Sequence, residues 1–162
     1  MNKVQFIYDY QCPFCKKGFD ILAELLPGYP KIEIEWVPVE SNPGPGANPC
    51  IEACYTAMEL GADMVKYNAS VFKAIFNEGR NTNKPDVLAG IAEKFVNRAD
   101  FSKLLKSGKY TSKNKENNDL AYEKEGVWYV PSLRAGGLKL DAKGGVGISR
   151  DELKAFLEKA SG

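Results

Sequence analysis

The sequence predicts an α/β fold: a mixed central sheet built as β–α–β and then β–β–α, with an all-helical insertion between the two halves. Three observations carry this prediction. Residues 31–37 alternate, with Ile32, Ile34 and Trp36 on one face and Lys31, Glu33 and Glu35 on the other, which is the period of a strand. The long stretch from 50 to 107 shows only stripes at helical spacing. Strand-like runs then return at 127–135 and 137–141, joined through Gly136 and Gly137 as a hairpin.

Taken in order, residues 3–10 (KVQFIYDY) are rich in β-branched and aromatic types and read as a buried strand. A helix follows from Cys12, with Phe14, Phe19, Ile21, Leu22, Leu25 and Leu26 as its apolar stripe. Pro13 suits its first turn, where a missing N–H costs nothing, and Pro27–Gly28 end it. After the strand at 31–37, SNPGPGANP (41–49) reads as a linker by its Pro and Gly content. Helices are predicted over 50–60, 63–78, 85–98 and 100–107, with Gly61, Gly79 and Gly108 at their C-terminal ends. Lys109 to Asn118 is polar and predicts a mobile connection, followed by a short helix closed by Gly126. Ser149 and Glu152 form a capping box ahead of a last helix with Leu153, Phe156 and Leu157 inward. The organisation expected is one domain from 1–45 and 127–162, interrupted by a helical insertion over 46–126.

Composition narrows the function. The chain has 162 residues with 22 Lys plus Arg against 21 Asp plus Glu, a balance without an electrostatic footprint for nucleic acid or an anionic membrane. No apolar run is long enough to span a bilayer, and the N-terminus lacks the pattern of a signal peptide. A cytoplasmic protein is the expectation. Histidine is absent, which removes Ser–His and Cys–His hydrolysis, imidazole acid–base work and His-ligated metals. Four cysteines remain, paired as Cys12 with Cys15 and Cys50 with Cys54, at a density too low for a disulfide scaffold.

The first pair forms CPFC at the start of a predicted helix. Unpaired N–H groups and the helix dipole favour a negative sulfur there, so Cys12 is the candidate nucleophile. Cys15, one turn deeper, is placed to resolve a mixed disulfide. Half of a zinc site is the alternative, with Cys50 and Cys54 as the other half, but Pro13 and Phe14 are poor residues for a zinc knuckle. No metal is expected at the dithiol. Cys50 and Cys54 are four apart on one helix face. Such side chains stand about 5–6 Å apart at Cβ, against about 3.5–4.5 Å for a disulfide. They are open to three readings: buried reduced packing residues, a second redox pair, or a soft-metal site. Tyr8, Tyr10, Phe14, Trp36, Trp128 and Tyr129 are candidates to line an apolar groove; most are expected in the core, and Phe14 exposed. Asn68-Ala-Ser70 falls within a predicted helix and GGVG (144–147) reads as a turn, so neither is taken as a site.

CPFC after a strand, with Val130–Pro131 before a late hairpin, resembles the thioredoxin superfamily. The helical stretch from ACYTAMEL to AEKF, with GVWYVPSLRAGG after it, resembles the DsbA-like branch over essentially the whole chain. The resemblance implies a thioredoxin fold and a protein disulfide oxidoreductase acting on protein or low-molecular-weight thiols and disulfides. It implies Cys12 and Cys15 as catalytic and Pro13, Phe14, Val130 and Pro131 as substrate-binding, with Pro131 the cis-proline facing the dithiol and Val130 pairing with an extended substrate peptide. It needs no bound cofactor, only glutathione or a partner dithiol as electron donor or acceptor. Two departures stand out. The family's buried carboxylate six residues before the first cysteine is here Phe6, with Asp9 closer and its direction open. The dipeptide Pro-Phe lacks a histidine, which implies a milder couple, near roughly −200 to −230 mV. The kappa-class glutathione transferases and hydroxychromene-carboxylate isomerases are similar in their insertion, but typically carry Ser at the first position and no dithiol. A non-catalytic metal-binding module using all four cysteines is the remaining alternative.

Overall fold

A computed structural model describes residues 2–41 and 48–162. The linker expected at 41–49 therefore lies, for residues 42–47, outside the described residues. The chain forms two units, Met1–Ser41 with Asp119–Gly162, and Asn42–Asn118.

In the first unit, β1 (Asn2–Tyr8) runs parallel to β2 (Ile32–Pro38), with Phe6 opposite Trp36 and Ile7 opposite Val37. Helix α1 (Pro13–Leu25) makes the connection between them. On the other side of β1 lies β3 (Ser132–Ala135), antiparallel, and beyond it β4 (Leu138–Asp141), giving the order β2-β1-β3-β4. The alternation of β1 turns Val4, Phe6 and Tyr8 to one face, and all three are buried. Phe6, Tyr8 and Phe19 of α1 gather around Trp36, with ring centroids about 6 Å apart. Each such ring removed from water is worth about 1.5–3 kcal/mol. The last helix of this unit (Arg150–Ser161) packs on the sheet with Leu153, Phe156 and Leu157 buried. The Ser149–Glu152 capping box is present at its start, each side chain accepting from the other residue's N–H at 3.2 Å.

The second unit is helical throughout its described part: α2 (Pro49–Glu59), α3 (Met64–Phe76), α4 (Pro85–Ala92), α5 (Arg98–Lys106) and α6 (Lys113–Asn118); the last helix of the chain is then α7. Ile51, Tyr67, Val71, Phe72, Leu88, Ile91 and Phe101 form its core.

The structure departs from the sequence reading in three places. The helix expected over 85–98 ends at Ala92, because Asn97 caps the next one, its Oδ1 accepting the N–H of Asp100 at 3.0 Å. The connection expected at 109–118 contains α6, which is anchored by Asn117: its amide donates to the Tyr55 hydroxyl at 2.8 Å. The strand expected at 127–135 begins only at Ser132, since Pro131 has no N–H to give to a ladder. Between α6 and that strand, Asp119–Lys124 winds as a π-helical run. This run belongs with the first unit. Its Tyr122 hydroxyl donates to the Glu40 carbonyl at 2.7 Å, and the Glu125 carbonyl just after it accepts from Arg134 at 3.1 Å.

Candidate active site

The end of β1 carries the chain through Asp9, Tyr10 and Gln11 directly into α1, and Cys12 is the helix N-cap. Its backbone is extended, φ −94° and ψ 121°, with Pro13 at the first helical position. No side chain caps this terminus, so the free N–H groups of the first turn remain to meet the Cys12 sulfur. The Cys12 thiol is accordingly lowered to about 6. The largest cause is a hydrogen bond from the Cys15 thiol, followed among the favourable ones by the N–H groups of Cys15 and Phe14; partial burial and the Asp9 carboxylate oppose it. Cys15, one turn in, is fully buried, and its thiol is pushed well up by that burial and by the adjacent Cys12 sulfur. One sulfur is therefore partly exposed and acidic, the other hidden and reluctant to ionise.

Pro131 meets the same helix. The Val130–Pro131 peptide bond is cis, and Ser132 pairs with Ile7 near the end of β1. Gly18 of α1 lies against the proline ring: a Cβ there would stand 2.9 Å from Pro131 Cγ. A glycine inside a helix costs about 1 kcal/mol against alanine and signals a packing reason; here it lets Pro131 close on α1 less than one turn from Cys15. The glycine itself is visible in the sequence as a break in the helical pattern of α1. Val130 is buried.

The six candidate groove aromatics divide evenly. Tyr8, Tyr10 and Trp36 are core residues, the first two joined by a 2.9 Å hydroxyl–hydroxyl hydrogen bond. Phe14, Trp128 and Tyr129 are exposed, Trp128 at 83%. The Phe14 ring rests on Gly147 of the GGVG turn, where φ is +85° and a Cβ would approach Phe14 Cδ1 to 3.2 Å.

Two residues join the site that motif reasoning did not place there. Asp9 is 7% exposed, and its N–H donates to Cys15 Sγ at 3.4 Å. Tyr122, from the π-helical run, has its hydroxyl pushed up by burial first and then by the charges of Asp9, Cys15, Glu40 and Cys12, so it shares the electrostatic surroundings of the two sulfurs. A π-helical turn is a local signature of functional sites, but its register is invisible in a polar stretch of sequence.

Cys50 and Cys54 lie in α2, 1% and 0% exposed. The Cys50 thiol donates to the Thr82 carbonyl at 3.6 Å. Among the described residues no group of three or more His, Cys, Asp or Glu is gathered as a metal site would need, and no helix is long and apolar enough to cross a membrane. Asn68 of the Asn-Ala-Ser sequence is buried.

Comparison with known proteins agrees with this geometry. The sequence model of the DSBA-like thioredoxin domain matches residues 3–144. The uncharacterized protein YwbO of Bacillus subtilis (strain 168) is 24% identical over 168 residues, covering 79% of this chain and 84% of that protein. Among solved structures, oxidised BdbD from Bacillus subtilis superposes with a TM-score of 0.75 at 18% identity, over 98% of this chain and 86% of its own. DsbA from Chlamydia trachomatis does so with a TM-score of 0.70 at 15% identity, over 97% and 85%. At these identities the structures establish the fold, a thioredoxin fold of the DsbA-like kind.

Proposed function

The chain belongs to the DSBA-like thioredoxin domain family, and from that premise we propose that it is a protein thiol–disulfide oxidoreductase whose redox centre is Cys12 and Cys15. The observation that carries this reading is the asymmetry of the two sulfurs, Cys12 lowered to about 6 at the helix N-cap and Cys15 buried and pushed well up. Thiol–disulfide exchange needs one sulfur that attacks and leaves as thiolate, and a second held back until a mixed disulfide has formed.

In the oxidising direction, a substrate thiolate attacks Cys12 Sγ of the Cys12–Cys15 disulfide. The S–S bond breaks, and Cys15 leaves with the electron pair and takes a proton. A second substrate thiolate then attacks the substrate sulfur of the mixed disulfide and displaces Cys12 as thiolate, so the substrate loses two electrons and the dithiol gains them. Reduction of a substrate disulfide runs through the same steps reversed. Pro13 fixes the first helical turn behind Cys12. Phe14, Trp128 and Tyr129 offer apolar contact to an unfolded peptide, and Val130 before Pro131 offers its backbone to an extended one. Glutathione or a partner dithiol protein would restore the working redox state. The burial of Cys50 and Cys54 supports their reading as packing residues, since exchange needs an approach to sulfur in line with the bond.

The test mixes the oxidised protein with a reduced, unfolded peptide holding two cysteines and follows the products by mass after acid quenching. The peptide is expected to gain a disulfide as the protein gains two thiols. Cys12→Ser and Cys15→Ser, neither of which can form the Cys12–Cys15 disulfide, are expected to be inert in this direction; given the oxidised peptide instead, Cys15→Ser is expected to stall as a mixed disulfide once its Cys12 thiolate has attacked. Transfer that survives Cys12→Ser would overturn the proposal.

A further inference from the structure

The turn that presents the dithiol is held by one residue. The Asp9 carbonyl accepts the Cys12 N–H at 3.1 Å and the Asp9 N–H donates to Cys15 Sγ at 3.4 Å, so its backbone touches both cysteines. Its carboxylate is nearly sealed from solvent and is fixed from two sides. Oδ1 accepts the Gln11 N–H at 2.9 Å, inside the same turn. Oδ2 accepts both the N–H of Ser41, at 3.0 Å, and its hydroxyl, at 2.6 Å, tying the turn to the segment that follows β2. Tyr122 and Glu40 stand by this cluster, joined through the tyrosine hydroxyl and the Glu40 carbonyl.

We propose that Asp9 is a positioning residue for the redox centre, locking the Cys12 turn onto Ser41 while keeping a negative charge behind the two sulfurs that holds the dithiol back from being a strong oxidant. This rests on the function proposed above and deepens it. A simple turn-forming aspartate needs only the Gln11 contact and has no reason to be buried against sulfur. Burying a carboxylate is costly unless donors surround it, and the Gln11 and Ser41 groups supply three. The charge raises the thiols of Cys12 and Cys15 and the hydroxyl of Tyr122. The effect on Cys12 is the one that bears on redox poise: it disfavours the thiolate and so the reduced protein, whose Cys12 is ionised near neutral pH. Removing the charge stabilises the reduced form and makes the disulfide more oxidising. The carboxylate lies three residues before the first cysteine, whereas the position six residues before it is the buried Phe6.

The experiment compares the protein with Asp9→Asn and Asp9→Ser, which keep an oxygen acceptor for Gln11 but no charge, and with Asp9→Glu, which keeps the charge. Two quantities are read: the Cys12 thiolate absorbance against pH, and the dithiol–disulfide equilibrium in glutathione buffers at pH 7. Both neutral variants are expected to titrate about half to one pH unit lower and to favour the reduced dithiol about three- to tenfold more. Asp9→Glu is expected to stay close to the parent. Two neutral variants keep the test open where one fails to fold. If a folded neutral variant titrates and equilibrates like the parent, Asp9 is only a structural cap and the proposal falls. If the parent itself forms no Cys12–Cys15 disulfide, it is the oxidoreductase reading that fails instead.

Discussion

Cys12–Cys15 and Cys50–Cys54 both stand at the start of a helix with proline in its first position, α1 with Pro13 and α2 with Pro49. They differ in where the cap falls. In α1 the cysteine is itself the N-cap and no side chain serves the free N–H groups. In α2 the cap is Asn48, whose Oδ1 accepts the Cys50 N–H at 2.9 Å, and both cysteines fall inside the helix on its buried face. A shift of two positions along the helix start separates a sulfur aimed at unsatisfied donors from sulfurs packed among apolar side chains. The spacing of a cysteine pair therefore says less about its chemistry than the residue that occupies the cap.

This contrast can be broken most sharply by substitution. Cys12→Ser is expected to lower disulfide exchange on the order of a thousandfold or more, since the attacking thiolate is gone. Cys50→Ala and Cys54→Ala are expected to leave exchange rates within about twofold, since both side chains are buried in α2 and take no part in the exchange. A rate assay with the same peptide disulfide checks all three, and a large loss in either α2 variant would abolish the distinction.

The pH dependence sharpens it. Cys12 attack is expected to rise through pH 6, following its thiolate, and to level off about one unit higher. The same ionisation acts on stability. The folded thiol is more acidic than its ordinary value of 9.0, so it adds stability to the reduced protein that is fully present above 9.0 and is lost as pH falls through about 6. Cys15 is pushed the other way, and its cost enters only at more alkaline pH. Denaturation of reduced and oxidised protein between pH 6 and 9 is expected to show the reduced form gaining on the oxidised one. A constant difference across that window would contradict the acidity of Cys12.

Stability effects should run opposite to activity. Cys54→Ser places a hydroxyl at a fully buried position and is expected to cost about 1–3 kcal/mol. Below pH 6, where the Cys12 thiol is neutral and its ionisation adds nothing, Cys12→Ser installs a favoured capping residue at the N-cap of α1 and is expected to stabilise by about 0.5–1 kcal/mol. Asn48→Ala is expected to cost about 1 kcal/mol through the lost cap, without changing exchange. Urea unfolding of the reduced proteins measures all of these.

Much of this arrangement was legible in the sequence because it depends on local chemistry. The alternation at 31–37 gave β2, and Pro13 with Pro27–Gly28 bracketed α1. CPFC at a strand–helix junction located the dithiol, and the late Val-Pro ahead of a hairpin led to Pro131. What stayed hidden depends on contacts between distant segments. Asp9 is an ordinary turn acid until Ser41, 32 residues on, supplies two donors to it. Tyr122 lies in a polar stretch without period and meets the Glu40 carbonyl, 82 residues away, from a π-helical run. Gly18 could be flagged as a cost to α1, but the ring that explains it comes from the other end of the chain. The short α6 escaped because its anchor, Asn117, is polar and is held by a hydrogen bond to Tyr55 rather than by an apolar stripe.

The most direct test of the central claim is to equilibrate the protein in graded glutathione buffers, trap free thiols by alkylation and map the four cysteines by peptide mass. The account predicts that Cys12 and Cys15 interconvert together as one two-electron couple, while Cys50 and Cys54 stay thiols at every ratio that leaves the protein folded. If Cys12 and Cys15 are never found joined to each other, or if Cys50 and Cys54 oxidise first, the assignment of the redox centre is wrong.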